Sequence, residues 1–148
     1  MFIIHPIMML NVFNLLFTIN MKVKYFPRFW TCSDVEANLN YLFVYGDNDL
    51  QRGRGGQAII RDLPNTIGLP TKKLPNNLPE SFYTDLEYEK NKVKIDAAIE
   101  QILLKAEFYD GIMLPHDVFG HAKLHLLAPK TFQYLSEQIK VKILDQRD

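Results

Sequence analysis

The sequence holds a single cysteine, Cys32, among 148 residues, which rules out an internal disulfide. One thiol suits a reducing compartment, and a cytoplasmic location is expected. Histidine is sparse as well, four residues in all. His116, His121 and His125 are near one another, but only the last two would share a face, and only on a helix. That supply does not assemble the usual zinc ligand sets, so no metal and no cofactor is expected. Neither sign of charge is in excess, with Lys plus Arg and Asp plus Glu both at 17. Such a balance gives no reason to expect a nucleic-acid or anionic-membrane partner. Internal repeats and low-complexity linkers are lacking too. What remains is a chain of ordinary single-domain length, long enough to bury about 68–70% of its unfolded surface.

The first twenty residues, "MFIIHPIMMLNVFNLLFTIN", are apolar. They lack the basic start and small-residue cleavage site of a signal peptide. His5, Pro6, Asn11 and Asn14 interrupt them, so no stable membrane span is expected. Three readings stand: an added strand or helix, a membrane-proximal tail, or an extension upstream of a natural start at Met21. The last is preferred, giving an apolar extension over 1–20 and one domain over 21–148.

From there the pattern alternates. "KVKYF" (22–26) reads as a strand by its period of two. Ser33 and Glu36 have capping-box spacing, predicting a short helix over 34–39. "YLFVY" (41–45) is aromatic and β-branched without a polar break, as a strand buried on both faces should be. A short helix is predicted over 56–62, stopped by Pro64 and Asn65, then a strand over 66–70. Thr84 and Glu87 offer another capping box for a helix over 85–107. Along it Ile95, Ile99, Ile102, Leu103 and Ala106 recur at helical spacing. "GIMLP" (111–115) is a strand, and Pro129 opens a last helix over 129–141 with Phe132, Leu135 and Ile139 on one side. Strand–helix alternation of this kind predicts a three-layer α/β domain: a mostly parallel sheet with helices on both faces. Such sheets bind ligands beyond the C-terminal ends of their strands, which puts 46–56, 71–80 and 116–128 on one rim.

The first rim segment is "GDNDLQRGRGG". Gly46 lets the chain turn. Gly53, Gly55 and Gly56 allow a ligand to approach the backbone, and Gly55–Gly56 with Gln57 open a helix whose free N–H groups favour an anion. Arg52 and Arg54 add positive charge. Asp47 and Asn48 sit just past the strand, placed to bond a ribose or an adenine edge or to order a catalytic water. The plainer alternative is that they cap the turn. The loop is neither a P-loop nor a G-x-G-x-x-G turn. In the second segment, Thr71, Lys72 and Lys73 follow a strand end and can meet a phosphate as point charges. Phe82 or Tyr83 is a candidate to stack on a base, with core packing as the alternative. In the third, Asp117 and His121 have the chemistry of an acid–base pair. No nucleophile in a triad or G-x-S-x-G setting is evident.

"FVYGDN" followed by "GRGGQAIIRD" resembles the start of a macro-type ADP-ribose-binding domain. Asn48 matches that family's ribose-proximal Asn, and Gly55, Gly56, Ala58 and Ile59 match its loop and helix start. The likeness to macro domains rests on this motif and the α/β order. A wider pattern, with "FVYGDN", "RGRGGQA", "RDLPNTIGLPTKK" and "GIMLP" in order from about Met21 to Ile139, resembles a small family of uncharacterised bacterial and phage proteins. That family has a loop like "DGxGTGLAKL" where this chain has Asp117, Val118, Phe119, Gly120, His121, Ala122, Lys123 and Leu124. Gly120 keeps one glycine of that loop. With fewer glycines and two residues fewer, this loop offers fewer amides to a distal phosphate.

The resemblance implies a macro-like fold that binds ADP-ribose or a related nucleotide metabolite, with hydrolysis of an ADP-ribosyl linkage as an extension. Asp47, Asn48 and Asp117 would be its catalytic residues. The alternative is a non-enzymatic phage or bacterial accessory module that binds a protein. Nucleic-acid binding through Arg52, Arg54, Arg61, Lys72 and Lys73 is a third class. Net neutrality and the lack of interleaved aromatics weigh against it.

Overall fold

A computed structural model describes residues 21–119 and 122–146. The expected N-terminal extension over 1–20, and with it Gly120 and His121, lies outside the described residues. Four strands, β1 (Lys22–Tyr25), β2 (Tyr41–Asn48), β3 (Thr66–Lys72) and β4 (Gly111–Leu114), form one sheet in the order β1-β4-β2-β3. Every pairing among them is parallel. The helices are α1 (Cys32–Glu36), α2 (Tyr88–Ala106), α3 (Leu124–Leu127) and α4 (Pro129–Lys142).

The layers follow from the side-chain alternation of β2. Leu42 and Val44 point to one face, where Ile95, Ile99 and Ile102 of α2 and Leu135 and Ile139 of α4 cover them. Tyr41, Phe43 and Tyr45 point to the other, against Trp30, Val35 of α1, and Ala58 and Ile60. A strand apolar on both sides needs cover on both sides, which is why "YLFVY" carries no polar break. The fold is therefore a three-layer α/β architecture with a parallel four-stranded sheet and helices on both faces. Among the described residues no helix is long and apolar enough to cross a membrane.

Local caps depart from the expected ones. Thr31, not Ser33, caps α1. Its side chain accepts from the Asp34 N–H at 3.2 Å, and Asp34 Oδ2 accepts from the Thr31 N–H at 2.8 Å. An aspartate at this position closes the same box as a glutamate, so the helix begins two residues before the expected start. Thr84 makes no side-chain cap, and Asp85–Glu87 is a separate 3-10 turn ahead of α2. Glu87 is drawn instead to Lys73. Asp85 reaches α4, accepting from the N–H groups of Lys130 at 2.9 Å and Thr131 at 3.0 Å. The expected helix over 56–62 is a five-residue 3-10 helix, Gly56–Ile60. Pro70 sits within β3, which tolerates a missing N–H because it is an edge strand.

Candidate functional site

Three loops meet beyond the C-terminal ends of β2, β3 and β4. They surround a cleft of about 300 Å³ lined by Gly46, Asp47, Asn48, Arg52, Gly53, Gly55, Gly56, Gln57, Thr71, Lys72, Phe119 and Ala122, among others. That volume is at the lower end for small-molecule sites. Ten of the residues singled out from sequence are therefore neighbours, drawn from segments 46–57 and 71–72.

The glycine wall has an unusual property. The main-chain N–H groups of residues 53–57 donate to no protein acceptor among the described residues, and the first such bond of the segment runs from the Ala58 N–H to the Gly55 carbonyl at 3.1 Å. Gly55 has an ordinary extended backbone (φ −79°, ψ 148°), and no atom lies within 4 Å of where a Cβ would stand. Nothing in the fold itself calls for glycine there. Gly56 differs, because its φ of +57° is left-handed and favours glycine in any case. The five-residue helix that follows is too short for a substantial dipole, so whatever anion affinity the wall has comes from individual amides.

Gln57 and Arg61 hold the wall in place. Gln57 Oε1 accepts from the Gly46 N–H at 2.6 Å, and its Nε2 donates to Asp117 Oδ1 at 2.6 Å. A Cβ on Gly46 would stand 3.1 Å from that Oε1, so Gly46 is a packing glycine. Arg61 is half-buried and forks onto Asp47: its Nη1 donates to Oδ2 at 3.0 Å and its Nη2 pairs with Oδ1. Its Nε also donates to the Gly53 carbonyl at 2.8 Å. The hydrogen bond to Asp47 is the main reason its guanidinium pKa is raised. In the sequence Arg61 stands out only as one of five cations that could serve nucleic-acid binding. The signal that would have found it is its place at the end of the short helix, facing the strand-end Asp47.

Asp47 and Asn48 serve the loop. Asp47 Oδ1 accepts from the Asn48 N–H at 2.8 Å in addition to Arg61. Asn48 Nδ2 donates to the Arg52 carbonyl at 2.7 Å, and its Oδ1 accepts from the Leu50 N–H at 3.1 Å. This is the turn-capping arrangement, the plainer of the two readings of these residues. Thr71 lies beneath, its hydroxyl donating to the Asp47 carbonyl at 3.3 Å.

The cations divide. Arg52 lines the cleft and forms no ion pair among the described residues. Arg54 turns away from the cleft and pairs with Asp62. Lys72 lines the cleft, donates to the Asn76 carbonyl at 2.8 Å, and has its pKa lowered by burial. Lys73 is outside it, paired with Glu87. Phe82 and Tyr83 are buried, 6% and 1% exposed, and line no part of the cleft, so they pack rather than stack on a ligand. The Tyr83 hydroxyl donates to Asp49, which also receives Lys94 at 2.7 Å. Asp117 sits behind Gln57, and any pairing with His121 lies outside the described residues.

Two other hollows adjoin. One of about 640 Å³ beside β3 contains Asp47, Asp49, Arg61 and Lys94, which already pair with one another. The second, about 330 Å³, lies on the other side of Gly56 and Gln57. It is lined by Arg28, Phe29, Trp30, Arg54, Ile59, Pro115, His116 and Asp117. The segment that supplies its aromatics, 28–30, follows the C-terminal end of β1. The strand-end rule covers that position too, although sequence reading applied it to three other loops. Among the described residues no group of three or more His, Cys, Asp or Glu side chains is placed to hold a metal ion.

Fold and cleft together define a three-layer α/β domain with a glycine-walled recess at the strand ends. The chain belongs to a family of unknown function, DUF7831, whose model matches residues 25–138. No curated protein and no solved structure matches it.

Proposed function

We propose that the protein binds a phosphate-bearing nucleotide metabolite, of which ADP-ribose is the first to test, with the phosphates against the wall of residues 53–57. The observation that carries this reading is the wall itself: consecutive amides without protein acceptors, beside a Gly55 that no feature of the fold requires. Arg52 and Lys72 supply positive charge to the same cleft. The position beyond the ends of parallel strands is where open α/β sheets take ligands. The role is binding. Hydrolysis of an ADP-ribosyl linkage is a separate step, which would need Asp47 to leave Arg61 and order a water.

Calorimetry of the full chain with ADP-ribose, ADP and inorganic pyrophosphate tests the reading. Saturable binding of these anions at micromolar to low-millimolar concentration, weakened by salt, is expected. No heat with any of the three up to several millimolar would remove it.

A further inference from the structure

The outward side of α2 is not the polar surface that a helix packed on one side should show. Its inner side is as expected, with Ile95, Ile99, Ile102 and Ala106 buried in the core. Directly opposite, by helical spacing, runs a second apolar line. It starts at Leu86 in the 3-10 turn that leads into the helix, continues through Val93, Ala97 and Leu104, and ends at Phe108 just beyond. All five are exposed, Leu86 at 96% and Phe108 at 84%. One exposed leucine needs no explanation, but an aligned set does.

Two charges interrupt the line, Lys90 and Glu100. Every other charged side chain of α2 is engaged within the chain: Glu89 with Lys92, Lys94 with Asp49, Asp96 with the Tyr134 hydroxyl, and Lys105 with the Thr66 carbonyl. Lys90 and Glu100 form no ion pair among the described residues. The reason is local. Glu100 has no cation three or four residues away, and Glu87, three before Lys90, is held by Lys73.

The order along the line is self-complementary. Reversed about the level of Ile95, it puts Leu86 in the place of Leu104, Lys90 in that of Glu100 and Val93 in that of Ala97. We propose that two copies of the chain associate through this line, their α2 helices antiparallel across a two-fold axis at that level. Each Lys90 then faces Glu100 of the second copy, twice over by symmetry. The larger Val93 faces the small Ala97, and Leu86 faces Leu104. Apolar groups meet apolar groups, and each lone charge meets its counter-ion, so a second copy is the partner that the line itself specifies. The helix has 19 residues and is about 28 Å long. A strip of that length and about 10 Å width offers roughly 300 Å² per copy, below the ~800 Å² of a standard interface. The dimer is therefore weak and reversible, with a dissociation constant on the order of 100 µM. None of these residues lines the glycine cleft, so the proposal stands apart from the ligand reading.

Sedimentation velocity of the full chain, from about 5 µM to about 1 mM, tests it. The population should shift from monomer to dimer across that range. Lys90→Glu and Glu100→Lys, both at exposed helix positions, should keep the wild-type circular dichroism. Each should weaken association at least about tenfold, because two attractive contacts become repulsive. An equimolar mixture of the two variants should recover association as a heterodimer, and the double variant should recover it as a homodimer. A chain that stays monomeric to about 1 mM would overturn the proposal. So would a dimer that neither single reversal weakens, or a weakening that neither the mixture nor the double variant repairs.

Discussion

Gln57 Nε2 lies 2.6 Å from Asp117 Oδ1, across the gap between the loop after β2 and the loop after β4. The same side chain accepts from the Gly46 N–H on its other side. One buried amide therefore links two rim loops to the end of the central strand. Gln57→Ala leaves the Gly46 N–H without that acceptor in a crowded place. A loss of about 1–3 kcal/mol in urea-induced unfolding is expected. Gln57→Glu should also destabilise, because it sets a second carboxylate against Asp117. A Gln57→Ala chain as stable as wild type would show that the link contributes nothing.

Gly55 and Gly56 separate stability from binding. Gly55→Val should change stability by less than about 0.5 kcal/mol or raise it slightly, since its φ of −79° suits any residue and the site is open. Binding of ADP should fall at least tenfold, because the new side chain stands on the wall. Gly56→Val should cost about 1–2 kcal/mol through its positive φ, and so cannot report cleanly on the ligand. Undiminished ADP affinity in Gly55→Val, measured by calorimetry, would detach the wall from the function.

Lys72 and Lys73 are adjacent yet have opposite expected outcomes. Lys72→Ala removes a cation that lines the cleft and should weaken pyrophosphate binding several-fold, with a shallower salt dependence. Lys73→Ala breaks only the half-exposed pair with Glu87 and should leave affinity unchanged, with little effect on stability. Equal effects of the two variants on affinity would mean that the charge acts at long range rather than in the cleft.

Tyr134 gives a pH signature. Its hydroxyl donates to Asp96 Oδ1 at 2.5 Å, and that bond, helped by burial, raises the phenol from its usual 10.0 to about 12. Folding thus favours the protonated phenol. The associated stability is fully present below pH 10 and is lost as pH rises towards 12. The stability difference between wild type and Tyr134→Phe, from urea unfolding at stepped pH, should be constant up to about pH 10 and shrink above it. A difference that stays flat to pH 12 would sever the link between this hydrogen bond and alkaline stability.

Much of the architecture was legible because burial writes itself into residue type. "YLFVY" is apolar on both faces because both faces are covered, and the isoleucines of α2 recur because one side meets the sheet. Caps were harder. Thr31 and Ser33, like Asp34 and Glu36, offer the same chemistry within one turn, and no local rule chooses between them. Glu87 left its expected place for Lys73, a partner known only once the chain has folded. The site shows the same division. Its glycines could be read as a group, whereas Arg52, Arg54 and Arg61 are alike in sequence and end unpaired with any described carboxylate, paired with an exposed Asp62, and forked onto a buried Asp47. Charge is visible in a sequence, but its neutralisation is a tertiary property.

The fork of Arg61 on Asp47, with its third bond to the Gly53 carbonyl, bears on protein engineering. Transplanting residues 46–56 onto another α/β scaffold would carry the glycines but leave behind the guanidinium that shapes them. A working graft must run through position 61, since a recipient lacking that arginine would receive an unpaired, buried acid in place of a recess.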